Sequence, residues 1–196
     1  MPVVRSFMID KKKTLKAGHY RTVAASGLIT GVAAGTASAG HLFSFRNPSA
    51  SLLVVVTRIR FFWATLVGFT AAQEIAMEAF RASAFTVDDT GGTAVTPAKR
   101  RNAFATASLA AARIATTGAL TGGTVTLAAQ PLLRRGVLEL ADGAAVAKRS
   151  FEVEWIPRDD HGEVLAQNEG IIIRNAILMG AGGVGRLTVE VDHYDR

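Results

Sequence analysis

The sequence predicts an all-β protein, built as an antiparallel β-sandwich, because apolar and polar residues alternate along three separate segments. In the clearest segment, residues 53–65, one face of a strand would carry every second residue. These residues are Leu53, Val55, Thr57, Ile59, Phe61, Trp63 and Thr65. Arg58 and Arg60 would lie on the opposite face, whereas a helix would place them about 200° apart. A long strand with one buried face therefore fits better than a helix.

The two other alternating segments lie towards the C-terminus. In residues 151–155 two glutamates alternate with Phe, Val and Trp, and in residues 187–192 Leu and two valines alternate with polar residues. Short strands that are separated by turns indicate two antiparallel sheets packed face to face. The same strand count also permits a jelly roll, so both forms of sandwich stay open.

The chain divides into an arm and one domain. Residues 1–18 mix charged residues with isolated apolar ones and show no periodicity, which is typical of a segment that becomes ordered only on contact. We therefore expect an extended N-terminal arm at 1–18 and a single β-sandwich domain at 19–196. A length of 196 residues and a hydrophobic content of 49% suit one full-sized core.

The first part of the domain predicts several strands. Residues 20–39 have a weak pattern that allows one or two strands, divided near Gly27. A short apolar segment at 41–46 ends at the Asn47-Pro48 turn. Residues 71–85 satisfy both helical and strand spacing, and we favour a strand that pairs with its predecessor across the Gly68 region.

The middle of the chain has weaker signals. Residues 88–97 contain Asp, Gly and Pro in the pattern of a surface loop. Residues 103–115 are rich in alanine and could be helical, and residues 114–127 read as a loose hairpin with Gly118 near its start.

The last part of the chain again predicts strands and turns. A turn is expected at 157–162, after the strand at 151–155, and residues 170–179 resemble a strand that is covered on both faces. The glycine run at 180–185 matches the spacing of a dinucleotide-binding loop, but such a loop must open a helix. The residues that follow alternate like a strand, so we interpret the run as a hairpin turn between the last two strands.

The residues that could take part in catalysis or metal binding do not form a recognisable site in the sequence. The four histidines are dispersed, Asp159-Asp160-His161 fits an ordinary turn, and Asp192, His193 and Asp195 fall at a C-terminal end that we expect to fray. Trp63 and Trp155 fit core positions better than sugar-stacking platforms. We therefore predict no catalytic, cofactor-binding or metal-binding residues, no cofactor and no enzymatic activity.

The charge pattern limits the expected partners. The net charge is +6, with one basic cluster at 11–16 and a smaller one at 99–101, while the other basic residues are scattered. A nucleic-acid-binding protein usually gathers its cations into a patch with aromatic neighbours, so we do not expect nucleic acid as a partner. The most apolar run, 52–69, contains Arg58 and Arg60, which argues against a membrane span. Cysteine is absent, which excludes disulfides and thiolate metal sites.

Several whole segments resemble a known group of proteins. The segments are His41-Leu42-Phe43-Ser44-Phe45-Arg46-Asn47-Pro48-Ser49, the strand at 52–65, and residues 85–94, 165–170 and 189–192, which together make up about a fifth of the chain. They resemble the structural virion proteins of tailed bacteriophages, a group that includes candidate capsid decoration or cement proteins. Relatives in that group usually end in a strand with a tryptophan, whereas this chain has His193-Tyr194 there.

The resemblance implies a structural virion protein that stabilises a capsid through contacts between subunits. Its implied partners are the major capsid protein or other virion proteins, together with copies of itself, and we favour a trimer. An alternative is a receptor- or glycan-binding module of the tail or neck. A third class, an enzyme with a site inside a jelly roll, has no positive support in the sequence.

Overall fold

The structure is a computed structural model that describes residues 18–30, 40–100, 106–121, 123–141, 149–157, 161–180 and 182–196. Within these ranges the regular secondary structure consists of β-strands, and there is no helix. The strands are β1 (His19–Ala25), β2 (Ile29–Thr30), β3 (His41–Asn47), β4 (Val54–Val67), β5 (Gln73–Ser83), β6 (Thr93–Val95), β7 (Ala98–Lys99), β8 (Ala111–Ile114), β9 (Thr126–Leu127), β10 (Leu133–Glu139), β11 (Ser150–Trp155), β12 (Glu163–Leu165), β13 (Glu169–Asn175) and β14 (Val184–Asp195).

The strands form two antiparallel sheets that pack against each other, which confirms the predicted β-sandwich. Sheet A has the order β11-β4-β14-β1-β7, with β12 beside β4 and β2 beside β14. Sheet B has the order β10-β5-β13-β3-β8-β6, with β9 beside β5. The jelly-roll form stays a prediction, and the arm proposed for 1–18 lies outside the described residues except for Gly18.

Strand β4 confirms the strongest sequence signal but corrects its extent. Ile59, Phe61 and Trp63 are fully buried on one face, as predicted. Towards the start of β4, a β-bulge in its pairing with β14 shifts the alternation by one residue. Val54 and Val56 therefore pack into the core, and the prediction that Leu53, Val55 and Thr57 continue the buried face of Ile59 was wrong.

Strand β5 is a strand, as favoured, but its predicted partner was wrong. It pairs with β13 and β10 in sheet B, whereas β4 lies in sheet A. The hairpin predicted between the last two strands is wrong for the same reason, because β13 and β14 also belong to different sheets. Both connections cross between the sheets.

The middle of the chain also departs from expectation. Residues 111–114 form β8, and residues 106–110 contain no helix, while residues 101–105 lie outside the described ranges. β8 pairs with β3 and β6 and β9 pairs with β5, so the loose hairpin at 114–127 is wrong. The loop expected at 88–97 includes β6, and its Asp89 is buried.

The core lies between the two sheets. Both supply large side chains that are fully buried, among them Trp63 and Phe61 from sheet A and Phe43 and Phe45 from sheet B. A second, smaller cluster on the outer face of sheet B joins Ile172 of β13 to Phe85 and Ala82, with Val125 and Leu127 packed against them. It explains why β13 is covered on both faces, as predicted.

In the described part of the chain, no helix is long and apolar enough to cross a bilayer.

Candidate interaction surfaces and buried polar clusters

The outer face of sheet A carries a ladder of ion pairs that runs across its strands. Arg60 of β4 lies opposite Glu154 of β11 and Glu190 of β14. The Arg60 Nε atom is 2.5 Å from Glu152, and Arg58 reaches Glu154 at 3.1 Å and Glu190 at 3.0 Å. Acidic residues on β11 and β14 thus flank the basic residues of β4, an arrangement in which cross-strand pairs stabilise the sheet.

Asp192 of β14 is the most enclosed member of this ladder, at 6% exposure. Three arginines surround its carboxylate: Arg21 at 2.7 Å, Arg58 at 2.9 Å and Arg100 at 3.7 Å. Burial alone would raise the pKa of Asp192, but the hydrogen bond from Arg21 and the arginine charges outweigh it and hold the pKa below its ordinary value. Asp192 is therefore a charged and paired group at neutral pH.

The outer face of sheet B carries a second set of pairs. Glu78 of β5 is buried and accepts hydrogen bonds from Arg174 of β13, whose guanidinium lies 4.4 Å from the centre of the Phe80 ring. Arg81 reaches Glu163 at 2.7 Å and Glu169 at 2.9 Å. Both outer faces of the sandwich therefore carry paired charges.

A serine, a histidine and an aspartate meet below the end of β14. The Ser108 hydroxyl lies 3.0 Å from His193 Nε2 and donates to Asp195 Oδ1 at 3.3 Å. The Leu109 N–H donates to the other oxygen of Asp195 at 3.2 Å. These contacts attach the segment before β8 to the last strand. The prediction that Asp192, His193 and Asp195 lie at a fraying end was wrong, because all three are buried.

His193 lies in an apolar setting. Its ring stacks on Tyr20 and meets the edge of Phe45, with ring centres 5.4 and 4.9 Å apart. Desolvation by burial lowers the pKa of His193 to about 4, although an interaction with the Val191 backbone and the charge of Asp192 act against that shift. Burial also raises the pKa of Asp195. The imidazole is therefore neutral at pH 7.

The order of the contacts in this cluster differs from that of a nucleophilic triad. In a triad the carboxylate binds the histidine nitrogen that does not face the serine. Here Asp195 binds the serine, and its nearest His193 nitrogen is again Nε2, at 3.9 Å. A neutral histidine with a pKa near 4 is also a poor general base at neutral pH. The geometry supports a structural role for Ser108, His193 and Asp195.

A second buried pair joins β3 to the loop before β6. His41 Nδ1 lies 3.3 Å from Asp89, and both side chains are fully buried. The other oxygen of Asp89 accepts the Gly123 N–H at 2.9 Å. Asp89 therefore connects β3 to two loops, which explains its burial within a segment that was predicted to be a surface loop.

A third group of polar side chains connects the two sheets by hydrogen bonds. The Trp63 Nε1–H of β4 donates to the Thr65 hydroxyl at 3.2 Å, and that hydroxyl donates to Glu139 of β10 at 2.6 Å. Trp63 is fully buried, as predicted, whereas Trp155 is only partly buried at the edge strand β11.

The glycine run at 180–185 serves packing between the sheets. A Cβ atom on Gly183 would come within 1.9 Å of the Phe69 ring, and one on Gly185 within 1.9 Å of the Trp63 ring. Real Cβ atoms do not approach other atoms so closely, so two large rings occupy the space that side chains at 183 and 185 would need. Strand β14 begins within the run, at Val184, whereas a dinucleotide loop must open a helix.

No family model, curated protein or solved structure matches this chain. Within the described residues, no three His, Asp or Glu side chains lie close enough together to hold a metal ion. Of the turn residues considered for a metal, Asp159 and Asp160 lie outside the described ranges, and His161 is exposed.

Five of the large exposed hydrophobic side chains belong to segments that lie near one end of the sandwich, which we call the apolar end. Its members are Leu66, Val67, Leu138, Leu140 and Leu178, which are 39–61% exposed. Contacts between residues next to them place the three segments near one another: Thr65 binds Glu139 at 2.6 Å, and Gln73, which lies opposite Glu139, accepts the Gly180 N–H at 2.7 Å. Sequence reasoning missed this group, because its members come from three distant segments.

Proposed function

We propose that this chain is a structural protein of a bacteriophage particle, and that it decorates or cements the capsid through contacts between subunits. The observation that carries the proposal is the apolar end. Exposed apolar side chains that collect in one place mark a surface that meets another protein. The resemblance of the sequence to virion proteins indicates that this assembly is a phage particle. The proposed partners are the major capsid protein, other virion proteins and copies of this chain.

The edge strand β11 supports the same proposal. The Thr65 N–H donates to the Arg149 carbonyl at 3.0 Å, so the backbone groups of 149 face β4. Because the direction alternates along an antiparallel strand, the N–H and C=O groups of Ser150, Glu152 and Glu154 point away from the sheet. Among the described strands β11 pairs only with β4. A neighbouring subunit could therefore add a strand to this edge.

The oligomeric state tests the role of the apolar end. We expect mass photometry of the purified full-length chain to show a closed oligomer, with a trimer favoured. Replacing Leu138 and Leu140 with glutamate should shift the protein towards the monomer, because charged groups would then lie in the interface. The matched control is Val87→Glu, since Val87 is an exposed hydrophobic residue, at 53%, outside the apolar end.

Location on the particle tests the proposal directly. Gold-labelled antibodies against the purified chain should decorate particles from the source that encodes it, at many regularly spaced sites. Label found only at the tail or neck would favour the receptor-binding alternative, and purified particles that contain none of the chain would refute both.

One observation favours that alternative. Trp155 is partly exposed at the end of β11, where its side chain packs against the margin of the core. The exposed part of an aromatic ring can stack on a sugar ring. A glycan array with Trp155→Ala as the control would detect such binding.

A further inference from the structure

Phe62 of β4 presents an aromatic ring on the outer face of sheet A. It is 37% exposed, whereas its neighbours in the strand, Phe61 and Trp63, are fully buried on the inner face. In the sheet, Phe62 lies opposite Thr188 of β14 on one side and Glu152 of β11 on the other. The ring therefore lies between strands, within the ladder of ion pairs, and not at an edge of the sheet.

A cleft of about 190 Å³ lies beside this ring. Its lining includes Phe62, Thr188 and three charged residues, Arg60, Glu152 and Glu190. Pockets for drug-sized ligands commonly measure about 300–1,000 Å³. The cleft is smaller than these, and its size suits a single ring with its substituents.

The polar groups of the cleft are held in place by one another. The Arg60 Nε atom is 2.5 Å from Glu152, and Arg60 Nη1 is 3.8 Å from Glu190. The side chains of Arg60 and Glu152 are still 39% and 47% exposed, so both present polar atoms to solvent. The hydrogen bond from Arg60 lowers the pKa of Glu152, which therefore stays an acceptor at neutral pH. Groups that are already ordered lose little freedom when a ligand binds.

The mixed charges of the cleft select a neutral ligand. Glu152 and Glu190 repel an anion, and Arg60, which pairs with both, repels a cation. A carboxylate only accepts hydrogen bonds and a guanidinium only donates them, whereas a hydroxyl group does both. A ligand that suits all these groups is neutral, carries several hydroxyls and has one apolar face for the aromatic ring. Neutral sugars have these properties.

We propose that this cleft binds a neutral hexopyranose unit of a glycan. The C–H face of the sugar packs on the Phe62 ring. Its hydroxyls donate to Glu152, accept from Arg60 and exchange a hydrogen bond with Thr188. The inference goes beyond the proposed structural role and does not depend on it.

The cleft is separate from the exposed part of Trp155. Trp155 lies opposite Ile59, which is fully buried, and its side chain packs against the core. Trp155 is therefore on the inner side of sheet A, whereas Phe62 is on the outer side. Substitutions at these two positions distinguish a sugar in the cleft from a sugar at the β11 edge.

The test is saturation-transfer difference NMR on the purified full-length chain, with a concentration series that gives the Kd of each probe. The neutral probes are the methyl glycosides of glucose, galactose and mannose. N-acetylneuraminic acid is the anionic comparison probe, and glucosamine is the cationic one. We expect at least one neutral glycoside to bind at least about threefold more tightly than both charged sugars, because each charged sugar meets a like charge in the cleft.

Phe62→Ala should weaken that binding at least about fivefold, because the aromatic stacking surface is lost. The matched control is Trp155→Ala, which removes an aromatic ring from the neighbouring strand and should weaken binding by less than about twofold. Thermal melts check that each variant folds. If Phe62→Ala does not fold, Phe62→Leu replaces it, since leucine keeps an apolar side chain but has no ring.

No binding of any neutral glycoside would overturn the proposal, as would tighter binding of either charged sugar. A loss in Trp155→Ala that equals or exceeds the loss in Phe62→Ala would also overturn it, because the sugar would then not lie in the cleft. These outcomes are separate from those of particle labelling. A chain that decorates particles but binds no sugar would keep the virion role and refute the sugar site alone.

Discussion

Replacing His193 with glutamine should remove most of the stability loss that this residue causes as the pH falls from about 6.5 towards 4. Burial lowers the pKa of His193 from 6.5 to about 4 in the folded protein. The unfolded chain therefore binds a proton in the range between about pH 6.5 and pH 4, where the folded protein does not. Stability from this residue is complete above about pH 6.5 and is lost as the pH falls towards 4.

The size of the effect follows from the same shift. One pKa unit corresponds to about 1.4 kcal/mol, so the whole range from 6.5 to about 4 is worth about 3 kcal/mol. Between about pH 7 and about pH 5, the expected loss is about 2 kcal/mol. The raised pKa of Asp195 acts in the opposite direction, since its contribution is present at low pH and is lost as pH rises.

The assay is urea unfolding at the two pH values, followed by tryptophan fluorescence, on the wild type and on His193→Gln. The wild type should lose about 2 kcal/mol more than the variant, because both retain Asp195 and the other carboxylates. An equal loss in both proteins would refute the reasoning. If the variant does not fold, NMR titration of the wild-type His193 ring decides the question, and a pKa near 6.5 would contradict the shift.

Three other substitutions test the packing and the ion pairs. Gly185→Ala should lower the free energy of unfolding by about 1–3 kcal/mol, because the added Cβ would clash with the Trp63 ring. In Gly118→Ala the added Cβ would meet open space, so the free energy of unfolding should change little. Urea titrations measure both. Arg58→Ala should cost about 1–3 kcal/mol because Asp192 is buried. A loss no greater than that of Arg60→Ala, which pairs with more exposed carboxylates, would argue against the contribution of the buried Asp192. In Trp155→Phe, the remaining Trp63 emission should resist acrylamide, and quenching as strong as that of free tryptophan would contradict the buried position of Trp63.

The sequence predicted the sandwich because period-two patterns are local. In β4, the residues from Ile59 to Trp63 gave the buried face directly. The same strand shows the limit of that reasoning, because the bulge opposite Asp192 and His193 depends on the pairing with β14 and leaves no mark in the composition of β4.

Strand partners were predicted less well than strands. Neighbours in sequence commonly pair in space, and that rule led to a hairpin between β4 and β5 and another between β13 and β14. Both pairs are divided between the two sheets. At the second connection the signal was present in Gly183 and Gly185, but their role becomes visible only when Phe69 and Trp63 lie over them.

The buried polar clusters were beyond sequence reasoning for a similar reason. Ser108 meets His193 across 85 positions, and Arg100 reaches the carbonyl of His19 through the pairing of β7 with β1. Single residues such as Ser108 have no pattern that distinguishes them from other loop serines.

The position of β14 affects how the protein is made. This strand contains residues up to 195, yet it lies inside sheet A with β4 on one side and β1 on the other. Until the ribosome has added β14, β4 and β1 have no partner between them, and their apolar faces stay open to solvent. A chain stalled before residue 184 would therefore expose Ile59 and Phe61 to chaperones and proteases, and synthesis of β14 is the step that closes the sheet.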